Sequence, residues 1–92
     1  MNNGIIHVYF MPGMAANPSI FENIILPEDK FEMHYLEWVI PEDNETLESY
    51  AKRMAAKIEN PNPVLIGVSF GGILVQEMSK CIEVKKLIVI SS

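Results

Sequence analysis

The 92-residue chain has a single cysteine, Cys81, and only two histidines, His7 and His34. One cysteine excludes an intrachain disulfide and cannot supply a thiolate cluster. Two histidines far apart in the sequence, without a second cysteine, do not make a ligand set, so neither a metal nor another cofactor is expected. Basic residues are also scarce. Lys and Arg number 7 against 12 Asp and Glu, giving a net charge of −5. Phosphate binding needs clustered positive charge, and Lys85-Lys86 is too short to be a patch, so no nucleic-acid partner is expected.

Long apolar runs are missing as well. No stretch approaches the roughly 20 apolar residues that span a bilayer, and the run over residues 5–11 is strand-sized. The first basic residue is Lys30, so the start of the chain lacks the charge of a secretory signal. These absences point to a cytoplasmic protein with no membrane partner. What is present is ordinary for a folded chain: 49% of residues are apolar and 21% charged, which separates it from disordered sequences. The length suits one domain, residues 1–92, with one core.

"IIHVYF", residues 5–10, is apolar on both faces, as a strand inside a parallel sheet would be. Pro12-Gly13 stops it. Asn17 before Pro18 reads as a cap and first helical position, predicting a short helix over residues 18–25 that ends at Pro27. Residues 31–36 predict a second, less buried strand. Leu47, Tyr50, Ala51, Met54, Ala55 and Ile58 recur on one helical face. Asp43 or Asn44 is the expected cap of that helix, Glu42, Asp43 and Glu45 its solvated acidic start, and Glu48–Lys52 a favourable pair. "VLIGV", residues 64–68, predicts a third buried strand, residues 71–81 a helix, and residues 86–90 a fourth buried strand. The resulting order, β-α-β-α-β-α-β, implies an α/β protein with a parallel sheet and flanking helices. In such sheets ligands bind beyond the carboxyl ends of the strands, here at residues 11–17 and 67–72.

Gly67-Val68-Ser69-Phe70-Gly71 reads G-x-S-x-G between a buried strand and a helix. A serine on so sharp a turn is lifted clear of the sheet. Glycines two residues to either side are needed because a side chain there would strike the neighbouring strand or helix. The amide of Phe70 opens the helix and points toward any oxyanion formed at the serine. A structural turn serine is the competing reading. The glycines fit neither G-x-G-x-x-G nor a phosphate-binding loop, which needs Lys-Ser/Thr. Cys81 reads as a buried small apolar residue at a helix end, and Met33, Tyr35 and Trp38 as packing residues that could otherwise line an acyl pocket.

With "GVSFGG", the preceding "PVLIGV" and the opening "VYFMPGMAANPSIF", the chain resembles the N-terminal portion of the α/β-hydrolase family. Pro12-Gly13 stands where that family usually has His-Gly. The resemblance implies Ser69 as the nucleophile on its elbow between Gly67 and Gly71. It implies the backbone N–H groups of Met14 and Phe70 as the oxyanion hole, and the strand order second-first-third-fourth. It also implies a triad acid and histidine after the serine. After Ser69 the chain offers Glu77 and Glu83 but no histidine. His7 and His34 fall inside strands, where a satisfied structural histidine is the better reading.

Two functions are compatible with these residues. One is a serine hydrolase acting on an ester, thioester or similar acyl bond of a small molecule, present here as an incomplete chain lacking its acid and histidine. The chain alone would then be inactive. The other is a small non-catalytic α/β binding or interaction domain. Either way, the apolar last strand, Leu87-Ile88-Val89-Ile90, is an edge through which the protein could self-associate.

Overall fold

The computed structural model describes residues 4–13 and 21–90. Four strands, β1 (Ile6–Met11), β2 (Phe31–Tyr35), β3 (Val64–Val68) and β4 (Lys86–Ile90), form one sheet in the order β2-β1-β3-β4. All three pairings are parallel, as expected. The order is the one expected. The helices are α1 (Leu47–Ala55) and α2 (Phe70–Met78). Among the described residues no helix is long and apolar enough to cross a membrane.

β1 is apolar on both faces because it buries both. Tyr9 and Met11 pack with Leu65 under α1 and α2, against Ala51, Met54, Leu74, Val75 and Met78. Val8 and Phe10 face the other way, toward Phe21 and Val64. Fully burying a side chain of this kind contributes about 1.5–3 kcal/mol. Ile66, Val68 and Ile88 on that second face are only partly buried.

Three expectations need correction. The helix over residues 18–25 begins outside the described residues. From Phe21 the chain makes one turn, closed by Ile24 N–H donating to the Phe21 carbonyl at 2.9 Å, and then runs without helix to Pro27. Ile25 is 84% exposed, so further helical turns here would bury nothing to offset their ordering. β4 is not a buried strand: Leu87, Val89 and Ile90 are exposed because it is the outermost strand, with a neighbour on one side only.

The third correction concerns the start of α1. Its cap is Thr46, whose hydroxyl accepts from Ser49 N–H at 3.0 Å. Asn44 is instead used in the turn before it, with φ 60°, a left-handed value that asparagine tolerates better than most residues. Glu45 is not part of a solvated acidic face. Arg53 grips its carboxylate with two donors, Nε to Oε2 at 2.7 Å and Nη2 to Oε1 at 2.8 Å. The same Arg53 Nη2 donates to the Ile40 carbonyl at 3.2 Å, so one guanidinium ties the incoming loop to α1.

Hydrogen bonding from Arg53, above all, holds the Glu45 carboxyl down at about 2, against an ordinary value of 4.5. A depressed folded-state pKa stabilises above the unfolded value and loses its effect as pH falls through the folded one. Wild type should therefore exceed Glu45→Gln in urea stability near neutral pH, with the gap narrowing from about pH 4.5 and closing near pH 2. A gap unchanged over that range would assign it to packing and not to charge.

Candidate functional site

β3 ends at Val68 and α2 begins at Phe70, so one residue, Ser69, must turn a strand into a helix. Its backbone is held at φ 57°, ψ −126°. This is neither strand nor helix, and a residue with a Cβ is strained there. Both sides pin it. Ser69 N–H donates to the Ile90 carbonyl at 2.9 Å, continuing the β3–β4 ladder, and the Ser69 carbonyl accepts from Gly72 N–H at 2.8 Å, closing the first turn of α2. Between those anchors the side chain is left exposed at the carboxyl end of the sheet.

The flanking glycines are there for steric reasons. A Cβ on Gly67 would lie 2.3 Å from the Gly71 carbonyl oxygen and 2.7 Å from Gly72 Cα. One on Gly71 would lie 2.5 Å from both the Met11 and the Pro12 carbonyl oxygens. The glycine spacing thus lets α2 start directly against β3 and the end of β1.

The chain leaving β1 reaches the same place. A Cβ on Gly13 would be 3.4 Å from Ser69 Cβ and 3.9 Å from its Oγ, so Pro12-Gly13 borders the hydroxyl. Trp38 holds this segment from the side. Its Nε1–H is shared between the carbonyls of Pro12, at 3.0 Å, and Gly13, at 3.1 Å. Its ring stacks on Phe70, with centroids 5.6 Å apart and planes within 6°. Trp38 therefore locks the β1 loop and the first residue of α2 into one arrangement around Ser69. Its aromatic bulk alone gave no sign of that role, because the indole's partners are backbone carbonyls 25 and 26 residues away.

Phe70 N–H is the first amide of α2 and, like all such amides, has no carbonyl a full turn before it within the helix. Amides at that position favour a negative oxygen placed at the helix start. Met14, the other expected donor, lies outside the described residues. Beside Phe70 opens a hollow of about 440 Å³ lined mainly by apolar groups, among them Trp38, Val39, Ile40, Leu47 and Tyr50. Tyr50 braces its wall by accepting from Val39 N–H at 2.8 Å and donating to the Val39 carbonyl at 2.5 Å. Trp38 belongs to this wall, whereas Tyr35 stacks on Phe10 across the sheet's other face.

Among the described residues the carboxylate that lines this hollow is Glu45, and both its oxygens are held by Arg53. Glu77 lies on α2 and pairs with Lys80 at 3.1 Å. Glu83 follows that helix and is exposed. Both histidines are in strands, as expected. Met11 is level with Gly67 and His34 with Tyr9, so along the strands His7 lies about 20 Å and His34 about 13 Å down the sheet from the level of the serine. Although far apart in the sequence, the two meet in the fold. His7 Nδ1 and His34 Nε2 are 3.0 Å apart. Parallel pairing of β1 with β2 closes the sequence gap, and that pairing is not written in either strand alone.

Compared with known family models, curated proteins and solved structures, the chain matches none.

Proposed function

We propose that this chain is the nucleophile-bearing portion of a serine hydrolase of the α/β-hydrolase type, acting on an ester, thioester or similar acyl bond of a small molecule. The observation that carries the reading is the backbone of Ser69, held at φ 57°, ψ −126° between two glycines whose substitution would drive a side chain into backbone. Strain of this sort persists only where the surroundings enforce it, and it clusters at functional sites. A turn serine without chemistry needs no such backbone.

In this mechanism Ser69 Oγ forms a bond to the acyl carbon as a base removes its proton. The carbonyl oxygen becomes an oxyanion that accepts from the N–H groups of Phe70 and Met14. Collapse expels the alcohol or thiol, which takes the proton from the base, and water then releases the acid by the reverse path. The hollow beside Phe70 receives the acyl chain. The base and its orienting acid come from outside these 92 residues, since both histidines of the sequence lie inside strands, several residues below the level of Ser69. The open edge of β4 is where strands carrying them would join, or where a second copy would pair. Cys81 is exposed and not buried, contrary to expectation; a single unbridged cysteine suits a reducing compartment, and we place the protein in the cytoplasm.

The distance of the histidines from Ser69 also favours a second reading, a small α/β domain that binds its ligand without turnover. A fluorophosphonate probe separates the two. In the protein isolated from its own cells, labelling should be strong and Ser69→Ala should abolish it. Unchanged labelling would remove Ser69 from the mechanism, and no labelling of the wild type would favour the binding domain.

A further inference from the structure

We propose that His7, Glu32 and His34 form a binding site for a divalent transition ion, zinc foremost, which fastens the edge strand β2 to β1. In the register of these strands His7 stands opposite Glu32, and Tyr9 opposite His34. Side chains alternate along a strand, so Glu32 and His34, two residues apart, share one face with His7. The donor atoms converge there. His7 Nδ1 is 3.0 Å from His34 Nε2 and 3.6 Å from Glu32 Oε1, and His34 Nε2 is 3.7 Å from Glu32 Oε2.

These separations suit a tetrahedral ion. Bonds of about 2.0–2.1 Å place neighbouring donors roughly 3.3–3.4 Å apart, a value that the nitrogen–nitrogen distance and the distances to the two Glu32 oxygens bracket. One donor atom from each residue lies within 4.8 Å of the others, so a rotation of the exposed Glu32 carboxylate brings all three to one ion. The donor chemistry selects its class. Two imidazole nitrogens and one carboxylate suit zinc and its first-row neighbours, whereas magnesium and calcium prefer oxygen alone. Glu32 is 59% exposed, which leaves the fourth position open to water.

The site is also held in place before any ion arrives. The Tyr9 ring stacks on His34 with centroids 4.3 Å apart and planes within 11°. Tyr9 is in turn fixed by its hydroxyl, which donates to Asn60 Oδ1 at 2.6 Å. A group that orients a histidine without touching the ion characteristically strengthens the site. Because the ligands come from two strands and lie remote from Ser69, the ion would act on the stability of the sheet edge and not in acyl transfer.

The test is titration of untagged protein with zinc chloride by calorimetry, with cobalt(II) as a spectroscopic probe of geometry. One zinc per chain is expected, with the cobalt form showing the visible absorption of a tetrahedral site and zinc raising Tm. His34→Gln and Glu32→Gln should each weaken zinc binding by about tenfold or more, while Glu37→Gln, an exposed carboxylate outside the cluster, should not. If His34→Gln fails to fold, the exposed Glu32 carries the comparison. No saturable binding up to millimolar zinc would overturn the proposal, leaving the two rings sharing a proton. Binding that both variants leave intact would overturn it equally, by placing the ion elsewhere.

Discussion

Replacing Gly67 by alanine is expected to leave no stably folded protein. The added methyl would lie 2.3 Å from the Gly71 carbonyl oxygen, 2.6 Å from the Gly71 carbonyl carbon and 2.7 Å from Gly72 Cα. Each of these is backbone, so no side chain can rotate away. Relief requires moving the first turn of α2 off the sheet, and α2 carries Leu74, Val75 and Met78 into the core. The cost should exceed about 4 kcal/mol, the range in which a single substitution reports structural rearrangement. Total stability is only roughly 0.05–0.15 kcal/mol per residue, about 5–14 kcal/mol for 92 residues, so such a loss takes from about a third of it to nearly all. Gly13→Ala is the control. Among the described residues its methyl meets nothing closer than 3.4 Å, and it should cost no more than about 1 kcal/mol. Urea unfolding of both variants checks this, and a Gly67→Ala protein within 1 kcal/mol of wild type would contradict the geometry of the turn.

The second large effect has the opposite sign. Ser69→Gly should stabilise the protein by about 0.5–2 kcal/mol. At φ 57°, ψ −126° a Cβ costs on the order of 1–3 kcal/mol, which glycine escapes. Part of the gain is returned, because glycine gives the unfolded chain more freedom to lose. Ser69→Ala also removes the hydroxyl but keeps the Cβ, so its stability should stay near that of wild type. The difference between the two variants isolates backbone strain from any hydrogen bond of Oγ. A serine that weakens its own fold while standing exposed between two anchored elements fits a residue retained for reactivity and not for stability. Equal stability of the glycine and alanine variants would show that the turn stores no strain at Ser69, removing the main support for the nucleophile.

Some of this was legible in the residues. The turn at Ser69 could be read because its requirement is local: glycines at 67 and 71 admit a close approach that no other residue allows. The buried face of α1 was also legible, since Tyr50, Ala51, Met54 and Ala55 repeat at the helical period and all are buried. Leu47 and Ile58, at the ends of the same pattern, are not fully buried, because periodicity marks a face without saying how far the sheet beneath it extends. The cap at Thr46 was missed in favour of Asp43 and Asn44. All three are competent caps, and the choice was made by the Glu45–Arg53 pair and the left-handed turn at Asn44.

Whereas the helix expected between β1 and β2 is not seen among the described residues, the sequence by itself determined the four strands, the two helices α1 and α2, the parallel sheet, and the turn serine where β3 becomes α2. Each follows from contacts among residues a few positions apart, where propensity, periodicity and steric limits act directly. Only the tertiary structure decided that Trp38 clamps the Pro12 and Gly13 carbonyls, that β4 lies exposed at an edge, and that two histidines 27 residues apart meet over Glu32. Those outcomes depend on which strands pair and in what register. That is settled by burial of the whole sheet against α1 and α2, a sum over the core that no single stretch of the chain records.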